Sequence, residues 1–414
     1  MTATPDIAII GAGAAGIAAA RRLAGTGRSV LVLEALPRLG GRAWTHTASG
    51  LPLDLGCGWL HSAERNPWTS IAEATGFAID RSTPAWGTQY RDLGFPAPDR
   101  IAARKSFAAL EERLATTPPA SDVAADALAP GEPWAPYLHA LSGFINGDGL
   151  ARISARDYAA YDTAATETNW RVPAGYGALV AASLPPSATL HLATPIEAIA
   201  LDGARVALRT PAGTVRARAA IVTIPTNILA GTAIAWPAAL DPWREAAARL
   251  PLGHNEKLFL DILAGHDFAP ETHVIGNPHD AATGAYYIRP FARPVIECFL
   301  GGAGAQLAAE QGRDAAFARA IDQLAALFGN GVRTRLRPLA ASDWAGTPAI
   351  GGGYSHALPG HAAARETLAR PFDSRLFFAG EATHPTDFST AHGAYASGVR
   401  AAEEALAALA PTAT

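Results

Sequence analysis

A glycine-rich turn near the start of the chain limits the fold more than any other feature of the sequence. Residues 7–10 predict a short buried strand, and Gly11, Gly13 and Gly16 follow it in the pattern G-x-G-x-x-G. The first glycine permits a tight turn, the second lets the backbone approach a pyrophosphate, and the third allows the next helix to pack closely on the strand. The alanine-rich residues 18–23 predict that helix. The pattern therefore predicts a dinucleotide-binding unit with an anion at a helix N-terminus.

A second strand and its last residue extend this unit. Residues 29–33 predict another buried strand, and Glu34 follows it, 18 residues after Gly16. An acidic side chain at this position accepts hydrogen bonds from ribose hydroxyls and disfavours a 2′-phosphate. The double glycine ahead of Arg42 would add backbone donors, and Arg42 a guanidinium, beside the same pyrophosphate. The fingerprint alone leaves NAD and FAD open.

The rest of the 414 residues alternates between helical and strand patterns, and it predicts an α/β fold with interleaved domains. A helical cap is predicted within residues 101–114 and 123–145. Further strands are predicted at 190–199, 206–210, 214–217, 220–224, 258–262, 295–300 and 376–378, and further helices at 315–327 and 391–409. We expect a Rossmann-type domain with a doubly wound parallel sheet at residues 1–75, 173–250 and 336–414. An α+β substrate domain is expected at residues 76–172 and 251–335.

Composition excludes several other classes of function. The chain has 33 Lys and Arg against 37 Asp and Glu, so it lacks the basic footprint of a nucleic-acid-binding protein. The two cysteines, Cys57 and Cys298, exclude a disulfide scaffold, and the histidines show no zinc-ligand spacing. No apolar run reaches the roughly 18 residues that span a bilayer, and the first residues show no signal core. We expect a cytoplasmic protein with no metal, membrane or nucleic-acid partner, and the oligomeric state stays open.

Further motifs, in order along the chain, resemble those of one protein family. They are Asp54-Leu55-Gly56-Cys57-Gly58-Trp59-Leu60-His61 with Asn66-Pro67, Leu250-Pro251-Leu252-Gly253-His254-Asn255-Glu256-Lys257, Trp344 with Gly352-Gly353-Tyr354-Ser355, Phe378-Ala379-Gly380-Glu381-Ala382-Thr383, and Thr390-Ala391-His392-Gly393-Ala394-Tyr395-Ala396-Ser397-Gly398. Together with the glycine fingerprint, they are similar to the flavin-dependent amine oxidases. That group includes monoamine oxidases, polyamine and spermine oxidases and lysine-specific histone demethylases. The resemblance covers the chain from end to end and implies FAD as the cofactor.

The resemblance implies a set of residues in contact with FAD. Glu381 would bind the ribityl or pyrophosphate region, Ile196 would touch the adenine side from an outlying strand, and Gly58 and Trp59 would run beside the isoalloxazine. The backbone N–H of Ala391 would lie near the flavin pyrimidine, where a helix N-terminus stabilises an anionic reduced flavin. The full set is Gly11, Gly13, Ala14, Gly16, Glu34, Ala35, Gly41, Arg42, Gly58, Trp59, Ile196, Trp344, Gly380, Glu381 and Ala391.

The resemblance also implies four catalytic residues. Lys257 would hold a water at the flavin N5 and offset negative charge on dioxygen, although a lysine at a strand edge would instead lie in solvent. Tyr354 would form one aromatic wall of an amine cage, and Thr390 stands where monoamine oxidases carry the second tyrosine. His61 resembles an active-site histidine of spermine oxidases, although a structural hydrogen bond would explain it equally. Because Gly353 replaces the cysteine that bonds the flavin in monoamine oxidases, we predict non-covalent FAD.

The implied reaction is oxidation of an amine C–N bond to an imine, which hydrolyses to an aldehyde or ketone, with dioxygen reduced to hydrogen peroxide. Thr390 and His61 favour a polyamine or another secondary amine, and Glu64 could pair with a distal ammonium or lie solvated in its loop. A compact aromatic pocket would favour arylalkyl monoamines instead. Two alternatives stay open. The first is other chemistry on the same scaffold: L-amino-acid oxidation with Arg289 binding the carboxylate, or a desaturase or porphyrinogen-oxidase reaction. The second is a non-catalytic flavoprotein that serves as a binding module.

Overall fold

The computed structural model describes residues 4–264 and 267–410. Within them the strands are β1 (Ile7–Ile10), β2 (Val30–Leu33), β3 (Thr45–Ala48), β4 (Leu51–Asp54), β5 (Thr189–His191), β6 (Ala198–Asp202), β7 (Arg205–Thr210), β8 (Gly213–Ala217), β9 (Ala219–Val222), β10 (Asn255–Ile262), β11 (Thr272–Ile275), β12 (Ala285–Ile288), β13 (Val295–Gly301), β14 (Leu336–Ala341) and β15 (Leu376–Phe378). The helices are α1 (Ala14–Leu23), α2 (Pro67–Thr75), α3 (Ala97–Thr116), α4 (Ala135–Asn146), α5 (Ala155–Ala164), α6 (Tyr176–Ala182), α7 (Thr226–Ala230), α8 (Asp241–Ala248), α9 (Ala303–Gln311), α10 (Arg313–Phe328), α11 (Ala364–Ala369) and α12 (Ala391–Ala408).

A five-stranded parallel sheet holds the N-terminal unit. Its strand order is β15–β9–β1–β2–β5, so β1 lies at the centre. Every residue of β1, β2 and β9 is buried, as parallel strands covered on both faces require. Ile7 and Ile9 join a core that includes α1 and α12, whereas Ala8 and Ile10 join a core that includes β6–β8 and α8. The predicted α/β fold with a Rossmann-type sheet is confirmed.

Two alanine-rich helices, α1 and α12, pack unusually closely on one side of this sheet. A Cβ on Gly398 of α12 would lie 2.1 Å from the carbonyl oxygen of Ala15 in α1, so only a glycine fits this crossing. Helix α1 begins at Ala14, four residues earlier than the pattern predicts, because the glycine turn leads directly into it. The close crossing places the N-terminal ends of both helices, Ala14 and Ala391, in the wall of one cavity.

The second sheet is antiparallel, with strand order β11–β12–β13–β10–β14. Its outer face packs against α10 through residues such as Leu260 and Ile296, which share a core with Phe317 and Leu324. Strand β14 begins at residue 336, the expected start of the last FAD-domain segment, yet it pairs with β10 of the second sheet. The division of the chain into two domains therefore remains a proposal. By its pairing with β10, β14 belongs to the antiparallel sheet of the proposed substrate domain.

None of the described helices is long and apolar enough to cross a membrane.

Candidate active site

A cavity of about 900 Å³ extends from the glycine turn after β1 to the inner face of the antiparallel sheet. Its wall contains every residue of the expected cofactor and catalytic sets except Gly16. One continuous space therefore joins the dinucleotide fingerprint to the four candidates for catalysis, His61, Lys257, Tyr354 and Thr390.

The glycine turn has the backbone geometry that a pyrophosphate requires. Gly11 has a φ of +104°, and a Cβ there would lie 2.5 Å from Oγ1 of Thr223, so a larger residue does not fit. Gly13 is the N-cap of α1 without a side-chain cap, and Ala14 lines the cavity, so this end of the helix has free N–H groups that could hold an anion. Gly16 lies outside the wall, and a Cβ there would lie 1.9 Å from the Gly11 carbonyl oxygen. This close approach lets α1 pack on the turn, and the cofactor contact of Gly16 stays a prediction.

Glu34 lies in the cavity wall directly after β2. Its carboxylate accepts hydrogen bonds from the backbone N–H groups of Ala12 at 2.6 Å and Leu36 at 2.8 Å. Burial raises the pKa of Glu34, and the backbone donors oppose that shift. Both oxygens keep lone pairs that can accept ribose hydroxyls. Ile196 also lines the cavity, but it lies between β5 and β6 and not in a strand, because Pro195 interrupts the predicted strand pattern.

Glu381 is the centre of a buried hydrogen-bond network in the same wall. Nη1 of Arg42 donates to one carboxylate oxygen at 2.9 Å and to the Gly353 carbonyl at 2.6 Å. The other oxygen accepts from the Ser355 hydroxyl at 2.6 Å. Burial acts to raise the pKa of Glu381, but the guanidinium groups of Arg42 and Arg365 outweigh it and lower that pKa. Arg42 therefore pairs with Glu381, a partner that the sequence analysis did not predict.

Lys257 is buried within β10, so the alternative of a solvent-exposed strand edge is wrong. Its side chain is 9% exposed, and its Nζ lies 2.7 Å from Oε1 of Glu297. Burial acts to lower the pKa of Lys257, but the Glu297 carboxylate, with a smaller effect of Asp54, raises it. A Cβ on Gly58 would lie 3.0 Å from the same Nζ. The amine therefore lies against the segment that is expected to run beside the isoalloxazine.

The inner face of the antiparallel sheet supplies wall residues that sequence reasoning missed. Strand register places Glu297 opposite Tyr287 and Tyr287 opposite His273, so the three side chains form a polar row across β13, β12 and β11. A charged residue inside the apolar strand β13 was a signal that could have identified Glu297. His273 and Tyr287 gave no comparable signal, since both residue types also fill ordinary cores.

Aromatic rings form much of the remaining wall. Trp59 packs on Trp86 with ring centroids 4.3 Å apart and on Tyr287 at 5.9 Å. The Tyr354 hydroxyl donates to the Phe144 carbonyl, which fixes the ring in the wall. Other aromatic residues of the wall include Phe107, Tyr137, Tyr158, Tyr161, Phe299 and Trp344. Such a wall excludes water and presents ring faces to an amine.

Thr390 is the N-cap of α12, whose predicted start at Ala391 is confirmed. Its Oγ1 accepts a hydrogen bond from the Gly393 N–H at 2.9 Å and donates to the Asp387 carbonyl at 2.6 Å. The hydroxyl is therefore engaged in capping the helix. Thr390 lines the cavity as a small residue, which leaves room where a tyrosine would stand.

His61 lies in the wall, and its Nδ1 is 2.6 Å from Oδ1 of Asn169. Burial lowers the pKa of His61 to about 4, so its ring is neutral at pH 7. Glu64 is exposed and lies outside the wall, so a contact with a distal ammonium gains no support. Arg289 also lies outside the wall, where it donates to two backbone carbonyls at 3.0 and 3.2 Å. The Arg289 site needed for the L-amino-acid oxidase alternative is therefore absent from this wall.

Across residues 4–264 and 267–410, the His, Cys, Asp and Glu side chains form no group of three or more that could hold a metal ion.

The fold and the cavity are those of a dinucleotide-binding protein, with the glycine turn on a parallel sheet and an antiparallel sheet lining the other end of the cavity. The sequence model of the family described as flavin containing amine oxidoreductase matches residues 14–94 and 98–406, and the chain belongs to this family. The cofactor is therefore FAD. The expected resemblance to the flavin-dependent amine oxidases is confirmed.

Similar proteins support the same family over the full length. Polyamine oxidase 3 of Oryza sativa subsp. japonica is 28% identical, with 97% of this chain and 89% of that protein aligned. The structure of a cyclohexylamine oxidase from Brevibacterium oxydans superposes with a TM-score of 0.74 at 22% identity, covering 97% of this chain and 98% of that one. A putrescine oxidase structure also gives a TM-score of 0.74, at 19% identity, covering 97% of this chain and 99% of that one. At these identities the two structures establish the shared fold.

Proposed function

We propose that this protein is an FAD-dependent oxidase of primary or secondary amines, with dioxygen as the electron acceptor. The main support for this proposal is that one cavity extends from the glycine turn to the buried Lys257. FAD, when bound, accepts two electrons from the amine carbon–nitrogen bond and passes them to dioxygen, which yields hydrogen peroxide. The imine product then hydrolyses in water. The residues that would hold FAD include Gly11, Gly13, Glu34, Glu381 and Ala391. The uncapped N-terminus of α1 fits the pyrophosphate, and the free acceptor sites of the Glu34 carboxylate fit the ribose.

The cavity wall favours the reactive, neutral form of an amine. An ammonium that enters is attracted by aromatic ring faces such as those of Tyr354 and Trp59. The apolar surroundings then disfavour its charge and promote loss of a proton. Neutral His61 can accept a hydrogen bond from the amine through Nε2, because its Nδ1 faces Oδ1 of Asn169. Lys257 supplies a fixed positive charge for the reduction of dioxygen.

Two features of the wall bear on the substrate. Its aromatic lining favours an amine with an apolar body. Asp162 also belongs to the wall, where burial and the charge of Glu167 raise the pKa of its carboxyl group. A second ammonium group on the substrate would stabilise the charged carboxylate and oppose this shift. We therefore propose a primary or secondary amine with an apolar body, and diamines and polyamines belong in the same test.

Anaerobic bleaching of the bound flavin by a panel of amines tests this proposal. Matched compounds are cyclohexylamine and phenethylamine, putrescine and spermidine, and L-leucine and L-phenylalanine. We expect at least one of the four amines to bleach the flavin and then to release one peroxide per imine in air. The amino acids should fail because Arg42, the arginine of this wall among the described residues, is paired with Glu381. Bleaching by dithionite but by none of the amines would contradict the proposal and favour the desaturase or binding-module alternative.

Substitutions at Tyr354 add a structural control to this experiment. Tyr354→Phe keeps the ring and should keep most of the activity, whereas Tyr354→Ala opens the wall and should lower kcat/KM about 10–100-fold, a loss of about 1.4–2.8 kcal/mol. Equal activity of the two variants would remove Tyr354 from the amine site.

A further inference from the structure

The charged pair Lys257–Glu297 is built by the strand register of the antiparallel sheet. Register places Lys257 opposite Phe299 and Glu297 opposite Phe259, so the two charged side chains are diagonal neighbours on the same inner face of β10 and β13. Their charged atoms lie 2.7 Å apart, and the two side chains are 9% and 21% exposed. Both belong to the wall of the cavity. The sheet therefore delivers a carboxylate to the buried amine at hydrogen-bond distance.

The other ionisable groups near Lys257 cannot take over this role. Asp54 acts on it electrostatically, but the Asp54 carboxylate is held by the Thr45 hydroxyl at 2.6 Å and the Tyr176 N–H at 2.9 Å. Cys57 also interacts with Lys257, and burial raises the pKa of the Cys57 thiol to about 12, so it carries no charge at pH 7. His61 also interacts with Lys257, but its ring is neutral at pH 7 and offers no counter-charge.

Glu256, the neighbour of Lys257 in β10, is directed elsewhere. Its carboxylate accepts hydrogen bonds from the Ser342 hydroxyl and from the backbone N–H groups of Trp344 and Ala345, the latter two at 2.7 and 3.2 Å. In a strand, successive side chains point to opposite faces, so the side chains of Glu256 and Lys257 diverge, although Glu256 also belongs to the cavity wall. Glu297 is consequently the carboxylate that the fold aims at the lysine amine.

We propose that Glu297 is the positioning residue that keeps Lys257 charged and holds its amine against Gly58. Without this counter-charge, burial would favour the neutral amine, and the four-carbon side chain would lose its fixed direction. The use of that charge in oxygen reduction rests on the proposed function. The charge itself does not, and it can be measured separately.

The pH dependence of flavin reoxidation distinguishes this role from a structural one. The holoenzyme is reduced chemically, without an amine, and mixed with aerated buffer between pH 6 and pH 10. The wild type should keep a constant rate. In Glu297→Gln the lysine should lose its proton within this range, so the rate should fall with rising pH and reach that of Lys257→Met at the upper end. A flat profile of Glu297→Gln, at either the wild-type or the Lys257→Met rate, would overturn the proposal.

Two variants control for folding and for charge. Asp261 lies in β10, the strand of Lys257, but outside the cavity wall, and its carboxylate pairs with Arg337 at 2.6 Å. Asp261→Asn should therefore behave like the wild type. Glu297→Asp keeps the charge on a shorter side chain, so it should restore the flat profile. A pH-dependent fall in either control would contradict a specific role of Glu297.

Competitive acetylation of the apoprotein with acetic anhydride, read by mass spectrometry at Lys257, gives a second measurement without FAD. Glu297→Gln should make Lys257 reactive at a pH at least one unit lower than in the wild type, a tenfold change in the fraction of free amine. Identical labelling curves would overturn the proposal. Because neither experiment uses an amine substrate, both outcomes stand even where amine oxidation itself is disproved.

Discussion

The guanidinium of Arg365 forms two hydrogen bonds to the carboxylate of Asp157, at 2.7 and 2.8 Å, and both side chains are 3% exposed. A third Arg365 nitrogen donates to the Ser355 hydroxyl at 2.9 Å, and that hydroxyl donates to Glu381 at 2.6 Å. The pair thus links helix α5 to the carboxylate of Glu381, which is expected to bind the ribityl or pyrophosphate region of FAD. Support for the cofactor site comes from a residue more than 200 positions away in the sequence.

Asp157→Asn should therefore destabilise the protein strongly. Breaking a fully buried ion pair leaves an uncompensated guanidinium, at a cost of about 3–5 kcal/mol. Urea denaturation followed by circular dichroism measures this loss. Glu366→Gln is the matched control, because its pair with Arg370 is exposed (61% and 76%) and should change stability by less than about 1 kcal/mol. Comparable losses in both variants would contradict the importance of the buried link.

Glu34→Gln should weaken FAD binding about 10–100-fold, since hydrogen bonds to a charged acceptor contribute about 1.5–3 kcal/mol. The amide would turn an N–H donor towards the backbone donors of Ala12 and Leu36 and lose acceptor sites for the ribose. Titration of the apoprotein with FAD, read by quenching of flavin fluorescence, measures the dissociation constant. Asp202→Asn, in an exposed pair with Arg216, should leave the constant unchanged. Equal affinities of Glu34→Gln and the wild type would place Glu34 outside the ribose site.

The parallel-sheet half of the protein was predictable because its information is local. The unit β1–α1–β2, the glycine turn and Glu34 occur within about 30 residues, and each residue acts on close neighbours in sequence. The start of α12 at Ala391 followed from the motif in the same way. The start of α1 was misplaced because the glycine turn continues directly into the helix, and the strand predicted at 190–199 is divided into β5 and β6.

The antiparallel sheet could be predicted only in part, because its strands find partners far away in sequence. β11 and β12 are four residues each, and β14 pairs with β10 across more than 70 positions. Without the register, nothing in the sequence places Glu297 beside Lys257. The same holds for Arg42 and Glu381, whose pairing crosses 339 positions. Sequence patterns identified Lys257, Arg42 and Glu381 one at a time and missed Glu297, because the pairing of these residues follows from tertiary packing.

The flavin should be released quantitatively when the protein is precipitated with acid, because Gly353 offers no thiol. Cys57 is the cysteine in the described cavity wall, and burial raises the pKa of its thiol to about 12, so it is not a nucleophilic thiolate at pH 7. Absorbance of the supernatant at 450 nm measures the released flavin. Cys57→Ser should give the same result as the wild type. Yellow pellets from the wild type but not from Cys57→Ser would reveal a covalent bond at Cys57.

Stability should fall as the pH decreases from about 6.5 to about 4. Burial lowers the pKa of both His273 and His356 to about 4, below the value of about 6.5 that histidine has in an unfolded chain. In this range the unfolded state binds more protons than the folded state, so acid favours unfolding. Urea denaturation at several pH values measures the slope. His273→Asn and His356→Asn should each make it shallower, and an unchanged slope in both variants would contradict the assignment.

Substitutions at Thr390 distinguish a structural role of its hydroxyl from a catalytic one. As the N-cap of α12 its hydroxyl accepts a hydrogen bond from the Gly393 N–H, so Thr390→Ala should cost about 1 kcal/mol of stability. Thr390→Ser keeps the capping oxygen and should restore that stability. Because the hydroxyl is engaged in capping, both variants should keep kcat within about threefold of the wild type, a barrier change under about 0.7 kcal/mol. Denaturation and steady-state oxidation of the best amine substrate measure the two quantities. A large loss of kcat in Thr390→Ala at unchanged stability would show that the hydroxyl acts in the reaction and not as a cap.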